Sequence, residues 1–299
     1  MEAVRKRLIH ITRCRGITRR SIRRFVRYDP TLQSIYKFSS TEINQFLAIP
    51  HKQASLLYSD LRNPSLIKQI IQDISSCRVI TLVDEDYPVV LKTIKDAPLV
   101  LYAMGNTSLL DKHPLISVIG TRKPSREALS KTEAFVVPLI HSNWVIVSGM
   151  ASGIDSMAHQ QTLKYDGMTI AVLGGGFHHI YPKHNYHLFN QIAEHGLVLS
   201  EYPPDTPPKR YHFPERNRII SGLSFGTLVI EATERSGTLI TVDQALDQGR
   251  EVYAVPGNPF LAQTRGCHKM IQEGAKLVQH PMDIMEDWER MESNYKLLS

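Results

Sequence analysis

Ten residues, Lys209 to Arg218, set four cations (Lys209, Arg210, Arg216, Arg218) among the rings of Tyr211, His212 and Phe213. Lysine and arginine neutralise phosphates, and a ring stacks on an exposed base, so the pattern suits an unpaired polynucleotide. The competing reading is a basic surface loop with Tyr211 and Phe213 turned into the core. Four glycine turns add a second kind of chemistry: Gly120-Thr121-Arg122, Ser148-Gly149 through Gly153 to Asp155, Gly174-Gly175-Gly176, and Ser236-Gly237-Thr238. Free amides at a helix start, reached over glycine, favour an anion. Arg122 adds a guanidinium fork that fits phosphate.

Other chemistries find less support. No G-x-x-x-x-G-K-[ST] occurs, which argues against a P-loop nucleotidase. A dinucleotide fingerprint fails at His179, where the third glycine is required. Gly222-Leu223-Ser224-Phe225-Gly226 matches G-x-S-x-G, but a nucleophile elbow needs its strand before the serine and here the strand follows. His178, His179, His184 and His187 have no carboxylate or cysteine spaced to complete a metal site. Asp155 and His159 are spaced as a hydrogen-bonded pair on a helix face.

Positioning those loops requires strands. Short β-branched runs at 115–119, 144–147, 169–173, 197–199, 227–230 and 251–255 alternate with amphipathic stretches near 125–141, 154–164, 184–194, 238–248 and 264–273. That alternation is a βαβ series, hence a parallel sheet with helices on both faces. Ligands of such sheets sit beyond the C-terminal ends of the strands, where the glycine turns fall. Residues 1–75 show helical spacing only and read as a small helical domain of the helix-hairpin-helix or sterile-alpha-motif kind. The expected division is 1–75, then 76–281 for the α/β domain, then 282–299 as a short helix and tail.

Composition bounds the partners. The chain has 299 residues, 42% hydrophobic and 21% charged, as a globular protein should. It lacks the uninterrupted apolar run of a membrane span and the h-region of a secretory signal. Cys14, Cys77 and Cys267 are few and scattered, which fits a reducing, cytoplasmic setting. Net charge is +6, but residues 1–28 carry ten Lys/Arg against Glu2, or +9, leaving −3 elsewhere. That arm reads as a polyanion contact.

Several ordered blocks resemble the DNA processing protein A (DprA/Smf) family. They include Val118-Ile119-Gly120-Thr121-Arg122, Ser148-Gly149-Met150-Ala151-Ser152-Gly153-Ile154-Asp155, Ser200-Glu201-Tyr202-Pro203, Phe213-Pro214-Glu215-Arg216-Asn217-Arg218-Ile219-Ile220, Ser236-Gly237-Thr238 and Val255-Pro256-Gly257. The resemblance implies an extended Rossmann-like sheet, a homodimer, single-stranded DNA binding and loading of RecA during natural transformation, without catalysis and without a nucleotide cofactor. It also implies a DNA site made of Gly120, Arg122, Ser148, Gly149, Lys209, Phe213, Arg216, Asn217 and Arg218. The glycine-turn residues Gly153, Gly175, Ser236, Gly237 and Thr238 join them as phosphate contacts. In this picture Arg122, Arg216 and Arg218 hold phosphates and Phe213 stacks a base. The chain departs from the family at Phe177-His178, where an acid is usual, and is expected to end without the winged-helix domain that many members carry. The competing function is that of a nucleoside-monophosphate phosphoribohydrolase of the lysine-decarboxylase-like group, although no P-G-G precedes Ser236-Gly237-Thr238.

Overall fold

Amphipathic spacing and capping produce five helices at the start of the chain. The computed structural model describes residues 2–296, with side chains described through Glu292. Helix α1 (Glu2–Arg13) buries Leu8, Ile9 and Ile11, and α2 (Arg19–Tyr28) starts where the Thr18 hydroxyl accepts the Ser21 amide. A Ser39/Glu42 capping box opens α3 (Ser40–Leu47), α4 (His51–Asp60) follows Pro50, and Asn63 caps α5 (Pro64–Ser76). With β1 (Arg78–Thr81) and the first part of β2 (Val100–Gly105), these helices form one compact unit, comprising the chain up to Tyr87 and Pro98–Tyr102. Three carboxylates anchor arginines of its first helix and turn: Asp84 to Arg5 at 2.9 Å, Asp73 to Arg13 at 3.1 Å and Asp60 to Arg15 at 2.7 Å.

The second unit holds Pro88–Ala97 and the chain from Ala103 on. After the single turn of α6 (Val89–Lys92), it alternates strand and helix. The series is β3 (Leu115–Ile119), α7 (Ala128–His141), β4 (Val145–Ser148), α8 (Ile154–Lys164), β5 (Met168–Leu173), α9 (Tyr186–His195) and β6 (Leu197–Ser200). Then come α10 (His212–Leu223), β7 (Gly226–Val229), α11 (Thr238–Asp247), β8 (Glu251–Ala254), α12 (Ala262–Gln272), β9 (Lys276–Leu277) and α13 (Met282–Lys296). The sheet runs β6-β5-β4-β3-β7-β8-β9 with every one of these pairs parallel. The chain therefore winds outward from β3 to β6 and crosses back through α10 to β7 on the other side of β3. This makes the β3/β7 junction the switch point of an α/β sheet, where a crevice opens beyond the strand ends. Ser117 on β3 bonds Thr227 on β7 across that junction at 2.7 Å, both fully buried.

One face of the sheet is sealed by α7 and α13. Phe135, Val136 and Leu139 pack with Trp144, Phe225, Tyr253, Ile284 and Trp288 in a single cluster, so Ile284 and Trp288 of α13 belong to the core of this unit. Strands β1, β2 and β9 have no counterpart in the sequence expectations, whereas β3–β8 and most helices of this unit lie within a few residues of them. Helix α10 does not: periodicity assigns no helix to 212–223. Ile219, Ile220, Ser221, Gly222 and Leu223 are all buried, so the helix has no polar side to give an amphipathic period. Pro214 sits in its first turn, where no intrahelical amide bond is lost.

Candidate nucleic-acid interface

At the β3/β7 switch point lies an open cleft of about 600 Å³. One wall is the loop after β3, Gly120 to Lys123. The other is Ser236-Gly237-Thr238 with Ile240 and Thr241 at the start of α11, and Phe213, Pro214, Arg216 and Asn217 of α10 close the end. Glycine is required at two of these turns. A Cβ on Gly120 would lie 2.7 Å from the Glu231 carbonyl oxygen, and Gly153 has φ +85° with the Thr121 carbonyl against it. Gly237 by contrast faces open space.

The N-terminal part of α10 supplies the ring and the buried charge. Phe213 is half-buried, 5.5 Å from the Tyr181 ring, with the Arg122 guanidinium 5.7 Å from its centroid. Gly174 makes room for it, since a Cβ there would stand 2.9 Å from the ring. Arg122 itself is exposed. Arg216 is 4% exposed and donates to the carbonyls of Gly149 and Val172, while its Nε donates to Asn217 Oδ1 at 3.1 Å. Burial lowers its pKa to about 10, so it keeps its charge at neutral pH. Beneath it, burial pushes the Asp155 carboxyl above the usual carboxylate range, against the pull of Arg216 and of the Ala151 and Gly149 amides. Ser236 Oγ is shielded from solvent and has no protein partner among the described residues, at the mouth of an anion-favouring helix start.

The expected site residues thus divide. Gly120, Arg122, Phe213, Arg216, Asn217, Ser236, Gly237 and Thr238 line the cleft together. Arg218 does not join them. It points to the other side of α10, is 6% exposed, and pairs with both oxygens of Glu201 at 2.7 and 2.9 Å. Helical spacing places residues two apart on opposing sides, so Arg216 and Arg218 cannot both face one ligand. Ser148 is fully buried, its hydroxyl donating to the Val118 carbonyl at 2.6 Å. Gly149 and Gly153 belong to the loop after β4 but not to the cleft lining: Gly149 is packed against the Arg216 guanidinium and Gly153 against the Thr121 carbonyl. Gly175 is covered by Pro208, and its carbonyl accepts from Ser200 at 2.9 Å. Lys209 is exposed beside Tyr211, 5.9 Å from its ring, outside the cleft lining. Nor do Asp155 and His159 bond each other; the fully buried His159 pairs through Nδ1 with Thr169 Oγ1 at 2.7 Å.

The cleft also gathers residues outside the expected set: Lys123, Asp155, Tyr181, Arg210 and Thr241. Lys123 adjoins Arg122 in sequence, and Arg210 is one of the four cations of the Lys209–Arg218 strip, so both had a local signal. Nothing local marks Tyr181, which comes from the segment after β5 and meets Phe213 only through the fold. Among the described residues, no group of three or more His, Cys, Asp or Glu is placed to hold a metal ion. No described helix is long and apolar enough to cross a membrane.

Comparison with known proteins places this arrangement. The family model for DNA recombination-mediator protein A matches residues 78–289. The chain is 48% identical over 208 residues to the DNA processing protein DprA of Bacillus subtilis, covering 70% of each. It is 45% identical over 209 residues to that of Streptococcus pneumoniae, covering 70% of this chain and 73% of the relative. The X-ray structure of DprA from Streptococcus pneumoniae superposes with a TM-score of 0.82 at 34% identity, covering 96% of this chain and 97% of that one. A structure of the Helicobacter pylori protein, which concerns that protein's single-stranded DNA binding mode, superposes at 0.65 with 28% identity over 72% of this chain and 98% of that one.

Proposed function

The chain belongs to the DNA recombination-mediator protein A family, and we propose that its cleft at the β3/β7 switch point holds single-stranded DNA without altering it chemically. The observation that carries this reading is the half-buried Phe213 ring, flanked by Tyr181 and the exposed Arg122 guanidinium at the edge of a cleft lined by helix-start amides. A base stacks on the ring while Arg122, Lys123 and Arg210 meet phosphates. The glycine loops let main-chain amides approach the backbone, and the Ser236 hydroxyl adds a donor. The Helicobacter pylori relative, whose structure concerns that protein's single-stranded DNA binding mode, supports the same ligand class.

The reading extends to partners. The bound strand is protected and passed to the RecA recombinase during natural transformation, by a homodimer working in the cytoplasm. Family membership supports this part; a RecA filament assembly assay on oligonucleotide coated with single-strand-binding protein tests it. The phosphoribohydrolase reading needs a carboxylate free to work on substrate; Asp155, the acid in the cleft lining, is buried with the Arg216 guanidinium acting on it, and Glu231 behind the loop after β3 is engaged. That side chain is fully buried, accepting from the Ser125 amide at 2.9 Å, the Ser125 hydroxyl at 2.6 Å and Lys131 at 3.1 Å.

The deciding experiment is fluorescence anisotropy with labelled oligo-dT across a salt series. Affinity should fall with salt at a log–log slope of about −0.7 per phosphate contacted, and Arg122→Ala should weaken binding while the fold persists. Equal affinity of wild type and Arg122→Ala, or release of free base from nucleoside monophosphates at a catalytic rate, would overturn the proposal.

A further inference from the structure

The strongest unassigned feature outside the cleft is a row of guanidinium groups on α2. Arg20, Arg24 and Arg27 are exposed and spaced i, i+4, i+7, which places them within an arc of roughly 60° on one helix face. Among the described residues no carboxylate pairs with any of the three. The contrast with α1 and the turn after it is direct, since Arg5, Arg13 and Arg15 are neutralised by Asp84, Asp73 and Asp60. Acids in adjoining turns are engaged elsewhere: Asp29 accepts from Thr31 and Ser34, and Glu42 closes the cap on α3 with Ser39. An aromatic edge borders the row. Tyr28 is 61% exposed with its ring 4.6 Å from Phe46, and Arg24 lies 5.9 Å from the Phe46 centroid.

We propose that this face of α2 is a second binding site for single-stranded nucleic acid, in which Arg20, Arg24 and Arg27 take successive phosphates and Tyr28 takes a base. The arrangement is costly to the helix itself. Arg19 and Arg20 stand at the positive end of the helix dipole, and Arg20/Arg24 and Arg24/Arg27 are like-charge neighbours. A face kept cationic against those costs is explained by a polyanion that relieves them. An anionic membrane supplies charge too, but an interfacial helix also presents large apolar residues to the lipid. Here Ile22 and Phe25 are buried in the unit instead.

The test uses the full chain and a long labelled oligo-dT. Arg20→Gln/Arg24→Gln/Arg27→Gln should lower the magnitude of the log–log salt slope by about 2, from three contacts at about 0.7 each. It should weaken binding at least tenfold at low salt while the melting temperature holds or rises. The counterpart with lysine at all three positions should restore most of the slope. Unchanged slope and affinity in the glutamine variant would overturn the proposal. So would loss of binding accompanied by a lower melting temperature in both variants, which marks a structural role. A third contrary result is sedimentation of wild type with phosphatidylserine/phosphatidylcholine vesicles, abolished in the glutamine variant while oligo-dT binding persists. Failure of the cleft reading is separate: it would appear as unchanged binding in Arg122→Ala and would leave this comparison intact.

Discussion

The Arg216 guanidinium donates to the main-chain carbonyl of Gly149, fastening the first turns of α10 beneath the loop after β4. A second bond from the same nitrogen to Val172 ties the helix to β5 as well. One side chain thus aligns three elements of the cleft and leaves a fixed positive charge on its floor. Gly149 is glycine because any Cβ there would run into that guanidinium.

Arg216→Lys should therefore lose both order and affinity. A single ammonium cannot reproduce a planar fork that reaches two carbonyls and Asn217. Leaving buried carbonyls short of a donor costs about 1–3 kcal/mol, measurable as a lower urea midpoint, with weaker oligo-dT binding in parallel.

Phe213→Ala separates binding from stability. The ring is only half-buried, so the melting temperature should change little. Losing one stacked base should cost roughly 1–3 kcal/mol of affinity in anisotropy titrations. A Phe213→Ala protein that binds as tightly as wild type would remove the stacking role.

Arg218→Ala should behave in the opposite way. It removes the bidentate partner of Glu201, whose side chain is 9% exposed. Breaking a buried pair from one side costs about 3–5 kcal/mol. Denaturation curves should show that loss, while the affinity of the molecules that remain folded stays near that of wild type. The double variant Arg218→Ala/Glu201→Gln should recover part of the stability.

His159 gives the fold a pH dependence. Burial, reinforced by Arg216, lowers its pKa to about 3 from an ordinary value near 6.5. Between those values the unfolded chain binds a proton that the native state refuses, so stability falls as pH drops below about 6.5. From pH 7 to pH 5 the loss should be about 2 kcal/mol. Urea titrations at the two pH values check it, and His159→Gln should flatten the dependence.

Two glycines at cleft loops make opposite predictions. Gly153→Ala forces an L side chain to φ +85° against the Thr121 carbonyl and should destabilise the fold. At Gly237, φ is −63° and nothing lies within 4 Å of an added Cβ. Gly237→Ala should leave the melting temperature unchanged or raise stability by about 0.4–1 kcal/mol.

The sequence by itself determined strands β3–β8 and the helices between them except α10, the parallel sheet, and the glycine loops that carry the cleft. Alternating β-branched runs, helical spacing and glycine turns are local signals, and each belongs to consecutive residues. It also assembled much of the lining, because Gly120, Arg122, Phe213 and Ser236-Gly237-Thr238 sit where a strand end meets a helix start or a ring meets cations. Only the tertiary structure decided strand order, and with it that the loops after β3 and β7 face one another while the turn at Gly175 is covered by Pro208. It likewise turned Lys209 to Arg218 from a strip of equivalent cations into a helix with sides. Arg216 faces the cleft floor, Arg218 is spent on Glu201, and Tyr181 arrives from a segment that no local pattern linked to Phe213. The physical reason is that burial and charge pairing depend on neighbours distant in the chain, and spacing along a helix cannot say which side the rest of the molecule will cover.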